Sequence, residues 1–124
     1  MNVVDSSGWL EYFADGPNAA VFARPIQATS TLIVPSISLF EVFKRVMTQR
    51  GEHTALEAVA MMRQGRVVPL DDALALDAAR LSVEHRLPMA DSIILATALA
   101  HRATLWTQDA DFENVRGVHY LPKQ

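Results

Sequence analysis

Four acids in this chain stand where carboxylates could act together on a metal ion: Asp5, Glu41, Asp91 and Asp109. Asp5 closes the apolar start Met1-Asn2-Val3-Val4. Glu41 lies one helical turn past the run Thr31-Leu32-Ile33-Val34, and Asp109 follows Thr104-Leu105-Trp106-Thr107 by two residues. Carboxylates gathered at neutral pH repel one another, so such a cluster must take up a proton or a cation. Ligation by oxygen alone suits Mg²⁺ or Mn²⁺, which keep several waters and partner phosphates readily. Such an ion lowers the pKa of a bound water and polarises a phosphoryl oxygen, so the reaction class implied is hydrolysis of a phosphodiester. Each acid also has a structural reading. Glu41 could complete the capping box Ser38-x-x-Glu41, Asp5 and Asp109 could be helix caps or Asx-turn residues, and Asp91 could be a first-turn acid complementing a helix dipole. What capping does not require is that buried strand ends lead directly into acids on one edge of a sheet.

The elements that must position these acids are legible from periodicity and punctuation. A short strand ending at Asp5 leads into a helix capped by Ser6-Ser7 and running through Trp9, Leu10, Tyr12 and Phe13. Pro17 is expected to begin a second helix and Pro25 to end it. The run 31–34 reads as a buried strand, and a helix is expected from Ser38 until Gly51. A further helix through Ala55, Val59 and Met62 is expected to end at Gly65, ahead of the strand-like 66–70. Asp71-Asp72 opens a helix reaching about Glu84, and Pro88 suits the first turn of the helix that carries Asp91. Strands at 104–107 and 118–121 flank a loop and short helix. Strands separated by helices imply crossovers and a largely parallel sheet covered on both faces. Ligands of such a sheet bind beyond the carboxyl ends of its strands. That rule makes Asp5, Glu41 and Asp109 converge, whereas the place of Asp91 depends on the tertiary fold.

The 124 residues, half of them hydrophobic, suit one domain over residues 1–124 with a continuous core. No apolar run is long enough to span a bilayer, and the start lacks a basic flank and apolar signal region, so a cytoplasmic protein is expected. Cysteine is absent. That excludes disulfides, thiolate zinc sites and cysteine nucleophiles, and leaves oxygen or histidine to hold any metal. His53, His85, His101 and His119 are scattered, with no pair at ligand spacing. The formal charge of −3 argues against a generic nucleic-acid binder, but with four carboxylates committed to a metal the remainder carries +1. Nine of the eleven basic residues are Arg, which pairs with phosphate bidentately.

Four segments together carry a resemblance: Val3-Val4-Asp5-Ser6-Ser7, Ser36-x-Ser38-x-x-Glu41-Val42, Met89-Ala90-Asp91-Ser92-Ile93, and Leu105-Trp106-Thr107-x-Asp109-x-Asp111-Phe112. In this order, and at this length, the chain resembles the PIN-domain ribonucleases, specifically the VapC-type toxins of bacterial toxin–antitoxin pairs. The resemblance implies an α/β fold, a three-layer α/β/α sandwich around a central parallel five-stranded sheet. It implies that Asp5, Glu41, Asp91 and Asp109 form the catalytic metal site, with Thr107 close enough to support it by hydrogen bonding. Ser7 matches a small polar position beside the first acid. Asp111 matches a second acid of the last motif, either a peripheral metal contact or a cap. It further implies single-stranded or looped RNA as substrate, a homodimer, and a cognate antitoxin that lays a peptide across the active-site groove. Such a partner would present an Arg to the acids and apolar residues to a groove near Trp9 and Tyr12.

Rival classes lack residues they need. A phosphoacceptor signalling domain, similar to response-regulator receivers, requires an acidic pair after its first strand and a late Lys on another strand end. Here Asp5 is followed by two serines, and the only lysines are Lys44 and Lys123. A haloacid-dehalogenase-like phosphatase requires Asp-x-Asp, and position 7 is Ser. A housekeeping PIN nuclease without an antitoxin shares every motif and is separated only by its genetic neighbourhood.

Overall fold

A computed structural model describes all residues 1–124. Its sheet is built from β1 (Asn2–Val4), β2 (Leu32–Pro35), β3 (Arg66–Val68), β4 (Thr104–Thr107) and β5 (Val118–Tyr120). The strands lie in the order β3-β2-β1-β4-β5 and every pairing is parallel. Six helices connect them: α1 (Ser6–Phe13), α2 (Ala19–Gln27), α3 (Ser36–Arg50), α4 (Glu52–Met62), α5 (Asp72–His85) and α6 (Met89–Ala100). The chain moves outward from β1 to β2 and β3, then returns to the other side of β1 for β4 and β5. The carboxyl ends of β1 and β4 therefore lie side by side where the strand order reverses, the usual ligand crevice of an open α/β sheet.

Side chains alternate across the short strands, so one sheet supplies two cores. Val3, Ile33 and Leu105 face α5 and α6 with Ile94 and Leu95, while Val4, Leu32 and Val34 face the first four helices with Trp9, Phe22 and Met62. The result is the expected α/β/α sandwich. Full burial of side chains such as Trp9, Phe22, Ile94 and Phe112 is worth about 1.5–3 kcal/mol each.

Four local expectations give way to tertiary structure. The second helix begins at Ala19, after Asn18, and passes through Pro25 to Gln27. A proline in the last turn removes a single backbone donor, and the buried ring stays packed in the core. The helix after β2 starts at Ser36 with Pro35 in the cap position, so Ser38 lies inside it and forms no capping box. The Ser38 hydroxyl is buried without a partner, and Glu41 is held from elsewhere. Residues 29–31 form a 3-10 turn, and β2 begins one residue later than the β-branched run suggests. Helix α4 stops at Met62 rather than at Gly65, whose absent Cβ makes room for Leu32. Gly51, with φ of 90°, does separate α3 from α4 as expected.

The packing of α1 on β1 and α2 depends on Gly8. A Cβ built there would lie 2.7 Å from both Phe22 Cδ1 and Val4 Cγ1. Overpacking costs about 1–3 kcal/mol, which exceeds the ~0.5–1 kcal/mol that alanine gains over glycine in a helix. Gly8→Ala is therefore expected to lower the melting temperature by several degrees in a thermal melt. An unchanged or higher midpoint would show that Phe22 yields without strain.

Candidate metal centre

Asp5, Glu41, Asp91 and Asp109 line one cleft of about 390 Å³ at the carboxyl edge of the sheet, with Ser6 and Ser7 at its base and Lys44, Arg45 and Thr48 along its wall. Each acid arrives by a different route. Asp5 is the residue after β1 and the N-cap of α1, and its amide still donates to the Trp106 carbonyl at 2.9 Å, which continues the β1–β4 pairing. Glu41 is the sixth residue of α3. Asp91 is the third residue of α6, and the packing of that helix on β1, β2 and β4 carries it into the crevice. Asp109 ends the segment after β4 and caps a 3-10 turn at Ala110–Phe112, with Oδ1 accepting from the Asp111 amide at 2.9 Å.

Hydroxyls fix the two most constrained acids. Asp5 is 2 % exposed, and its Oδ2 accepts from Ser7 Oγ at 2.6 Å and from Thr107 Oγ1 at 2.9 Å. A hydroxyl has one proton, so both protons are committed to Asp5. Thr107 then accepts from the Asp109 amide at 2.9 Å, and Ser7 from the Gln108 amide at 3.3 Å. The fully buried Thr107 thereby ties the carboxylate of one acid to the backbone of another. Asp5 Oδ1 takes no protein donor. Glu41 Oε1 accepts from Ser6 Oγ at 2.7 Å, which answers the capping-box question: its partner is 35 residues away on α1.

Two of the four, Asp91 and Asp109, come within ligand distance of a third acid, and that acid is Asp111; Asp5 and Glu41 line the cleft outside this trio. Carboxylate oxygens of Asp91, Asp109 and Asp111 lie within 4.8 Å of one another, close enough to share an ion. No Lys, Arg or His forms an ion pair with any of these five acids, since the pairs in the structure are His53–Glu57, Arg80–Asp77 and His85–Glu84. The uncompensated charge appears in the titration of two residues. Asp91 is pushed up to about 8, first by burial and then by the charges of Asp5, Asp109, Asp111 and Glu41. Asp5 is raised chiefly by burial and further by the charge of Asp109, against the opposing hydrogen bonds from Ser7 and Thr107. The donor set fits a hard divalent cation: oxygen only, several carboxylates, at least one oxygen without a protein partner, and no side-chain cation in the way.

Several contributors escape sequence reading. Ser6 looks like a helix cap and in fact holds Glu41. Behind the cleft, buried Gln108 accepts from Asn18 Nδ2 at 3.0 Å, and the same amide donates to the Pro122 carbonyl at 3.1 Å, joining α2 and the chain end to β4. Lys44, Arg45 and Thr48 were discoverable, because they sit three, four and seven residues beyond Glu41 and so share its helix face. Trp9 moves the other way. It is completely buried and cannot line a groove.

A family model for the PIN domain matches residues 3–118, so the chain belongs to the PIN-domain family, whose members are nucleases. Comparison with curated proteins by sequence finds no match. Among solved structures the chain is similar to one in a toxin–antitoxin complex from Klebsiella pneumoniae, with 23% identity, TM-score 0.78 and 95% of each chain covered. It is also similar to Mycobacterium tuberculosis VapC20, a sarcin–ricin loop cleaving toxin, with 18% identity, TM-score 0.79, and 96% of this chain and 98% of that one covered. A third is the DNA-bound VapBC of Salmonella typhimurium, with 16% identity, TM-score 0.74 and 98% coverage of both. At these identities the likeness is one of fold.

The raised titration of Asp91 has a definite sign. Because its folded pKa lies above the ordinary value of 3.8, the metal-free folded protein binds more protons than the unfolded chain between about pH 4 and 8. Its contribution to stability is therefore greatest below this window and is lost as pH rises to about 8. Without divalent metal, the melting temperature of the wild type should fall between pH 5 and 8.5 more steeply than that of Asp91→Asn, and the variant should be the more stable at the alkaline end. Parallel curves for the two proteins would mean that Asp91 is not under this repulsion.

Proposed function

We propose that this chain is a metal-dependent endoribonuclease that acts as the toxin of a toxin–antitoxin pair. The observation that carries the reading is a cleft of carboxylates with no ion-pair partner, one of them pushed up to about 8, at the strand-order reversal of a PIN-domain sheet. Asp5, Glu41, Asp91 and Asp109, which line one cleft, would hold Mg²⁺ or Mn²⁺, with Asp111 at ligand distance from Asp91 and Asp109. When bound, the ion supplies Lewis-acid polarisation of the phosphoryl group and activation of water. The remaining work falls to the chain itself. Ser7 and Thr107 keep Asp5 fixed, and Ser6 keeps Glu41 fixed, so the ligands need no reorganisation when charge arrives. Asp91 must release its proton for the site to fill, which makes occupancy rise with pH. In the hydrolysis, a water oxygen bonds to phosphorus as one P–O ester bond breaks. RNA as the substrate is supported by the family and by the fold shared with a toxin that cleaves the sarcin–ricin loop.

An antitoxin has a place to lie. A second cleft of about 570 Å³ between α1, α3 and α4 meets the acidic one at Ser7, Leu10 and Arg45. Leu10, Phe13, Ala14 and Met61 offer an apolar lining to a partner helix or strand, taking the part that buried Trp9 cannot. From there a partner Arg could reach the carboxylates and compete with the metal. A homodimer fits the same reading. Leu76 and Val83, seven residues apart on one face of α5, are 60% and 83% exposed. No helix is long and apolar enough to cross a membrane, which accords with a cytoplasmic site of action.

Purified protein is expected to cleave single-stranded RNA in Mg²⁺ or Mn²⁺ and to lose all cleavage in excess EDTA. Asp5→Asn should reduce the rate by several orders of magnitude while keeping the far-ultraviolet circular dichroism of the wild type. Undiminished hydrolysis in EDTA, or full activity of Asp5→Asn, would overturn the metal mechanism.

A further inference from the structure

The helix face that presents Glu41 to the acids continues outward as Phe40, Lys44, Arg45 and Thr48, all of which line the same cleft. Phe40 is 60% exposed and is the one aromatic side chain among the exposed large hydrophobic residues, whereas Trp9, Phe22 and Phe112 are fully buried. The aromatic residues at the start of the chain are thus largely consumed by packing, and the free ring is on α3. Lys44 Nζ lies 5.7 Å from the centre of that ring. Neither Lys44 nor Arg45 is paired with a carboxylate, although both stand beside a cleft crowded with them. An exposed ring flanked by two unpaired cations, one helical turn from a phosphodiester-cleaving centre, has the composition of a single-strand nucleic-acid grip.

We propose that this outer face of α3 is the wall that holds the RNA: Phe40 stacks on the base next to the phosphate at the acidic cluster, while Lys44 and Arg45 take flanking phosphates. The proposal rests on the nuclease reading of the site and adds the residues that bind its substrate. The two kinds of group solve a problem that the carboxylates create, because an acidic floor repels a polyanion and positive charge on the wall offsets that repulsion. Stacking on a ring requires an accessible base face. A base within a duplex has none, so Phe40 selects unpaired or splayed-out nucleotides and does so with little regard to sequence.

The test uses full-length protein and short synthetic single-stranded RNA in Mg²⁺, with binding read by fluorescence anisotropy and cleavage by initial rates. Phe40→Ala is expected to raise Kd and KM about tenfold with kcat little changed, and Phe40→Trp to restore both. An abasic nucleotide beside the cleaved phosphate should weaken wild-type binding and leave Phe40→Ala unaffected. Removal of Lys44 and Arg45 by alanine substitution should reduce the salt dependence of log Kd by about 0.7 per lost phosphate contact. If the wild type cleaves RNA while Phe40→Ala binds and cleaves equally well, the wall is wrong and the nuclease stands. If Phe40→Ala instead changes the mass of the protein in light scattering, Phe40 is a subunit contact and the proposal is overturned. Phe40-dependent binding without any cleavage in Mg²⁺ or Mn²⁺ would keep the wall and overturn the nuclease, and no RNA binding by the wild type would overturn both.

Discussion

Mutual repulsion among carboxylates is the constraint around which this molecule is arranged. Five acids share one edge of the sheet, none has a side-chain cation as partner, and one is driven to about 8 by burial and by the charges of the other four. Left alone, such a cluster would spread or protonate. The fold resists spreading by anchoring its members to different rigid elements: the end of β1, the interior of α3, the first turn of α6 and the segment after β4. Short hydrogen bonds from Ser6, Ser7 and Thr107 then remove most of the remaining freedom of Asp5 and Glu41. The cost is borne by a core in which Val3 and Val4, adjacent in sequence, serve opposite faces of the sheet.

The opposition between helix caps and metal ligands dissolves in this arrangement. Asp5 uses Oδ2 to accept from the Ser7 amide at 3.4 Å and Asp109 uses Oδ1 to accept from the Asp111 amide at 2.9 Å, so both are caps. A carboxylate has two oxygens, and capping occupies one. Because the carboxyl end of each parallel strand is also where the next helix begins, capping and cleft-lining select the same positions. Helix starts contribute again through their positive ends, which favour the acids of the first turn and temper the repulsion among them.

This double use explains how much could be read in advance. Strands and helices alternated clearly, and the order of elements follows from runs such as Leu32 to Val34 and Leu105 to Thr107 bounded by Pro, Gly and Ser. The acids at strand ends were legible for the same reason. Asp91 was not placed by spacing, because its position is set by the packing of α6 against three strands, which no local pattern encodes. Ser38-x-x-Glu41 was misleading: Pro35 at the helix start shifts the cap three residues earlier than the motif implies and frees Glu41 for Ser6. Pro25 misled in a similar way, since burial of its ring outweighs the lost donor near a helix end. The buried amides of Asn18 and Gln108, 90 residues apart, leave no trace in either local sequence.

The most direct measurement of the central claim is calorimetric titration of Mg²⁺ or Mn²⁺ into the protein near pH 7, repeated in buffers of different ionisation enthalpy. If the carboxylate cluster is the metal centre, binding saturates at a defined stoichiometry and releases protons, because Asp91 must ionise before it can act as a ligand. The proton release should be smaller in Asp91→Asn. Absence of saturable binding, or binding with the same heat in every buffer and in the variant, would contradict the account by showing that the acids are stabilised in some way other than by a cation.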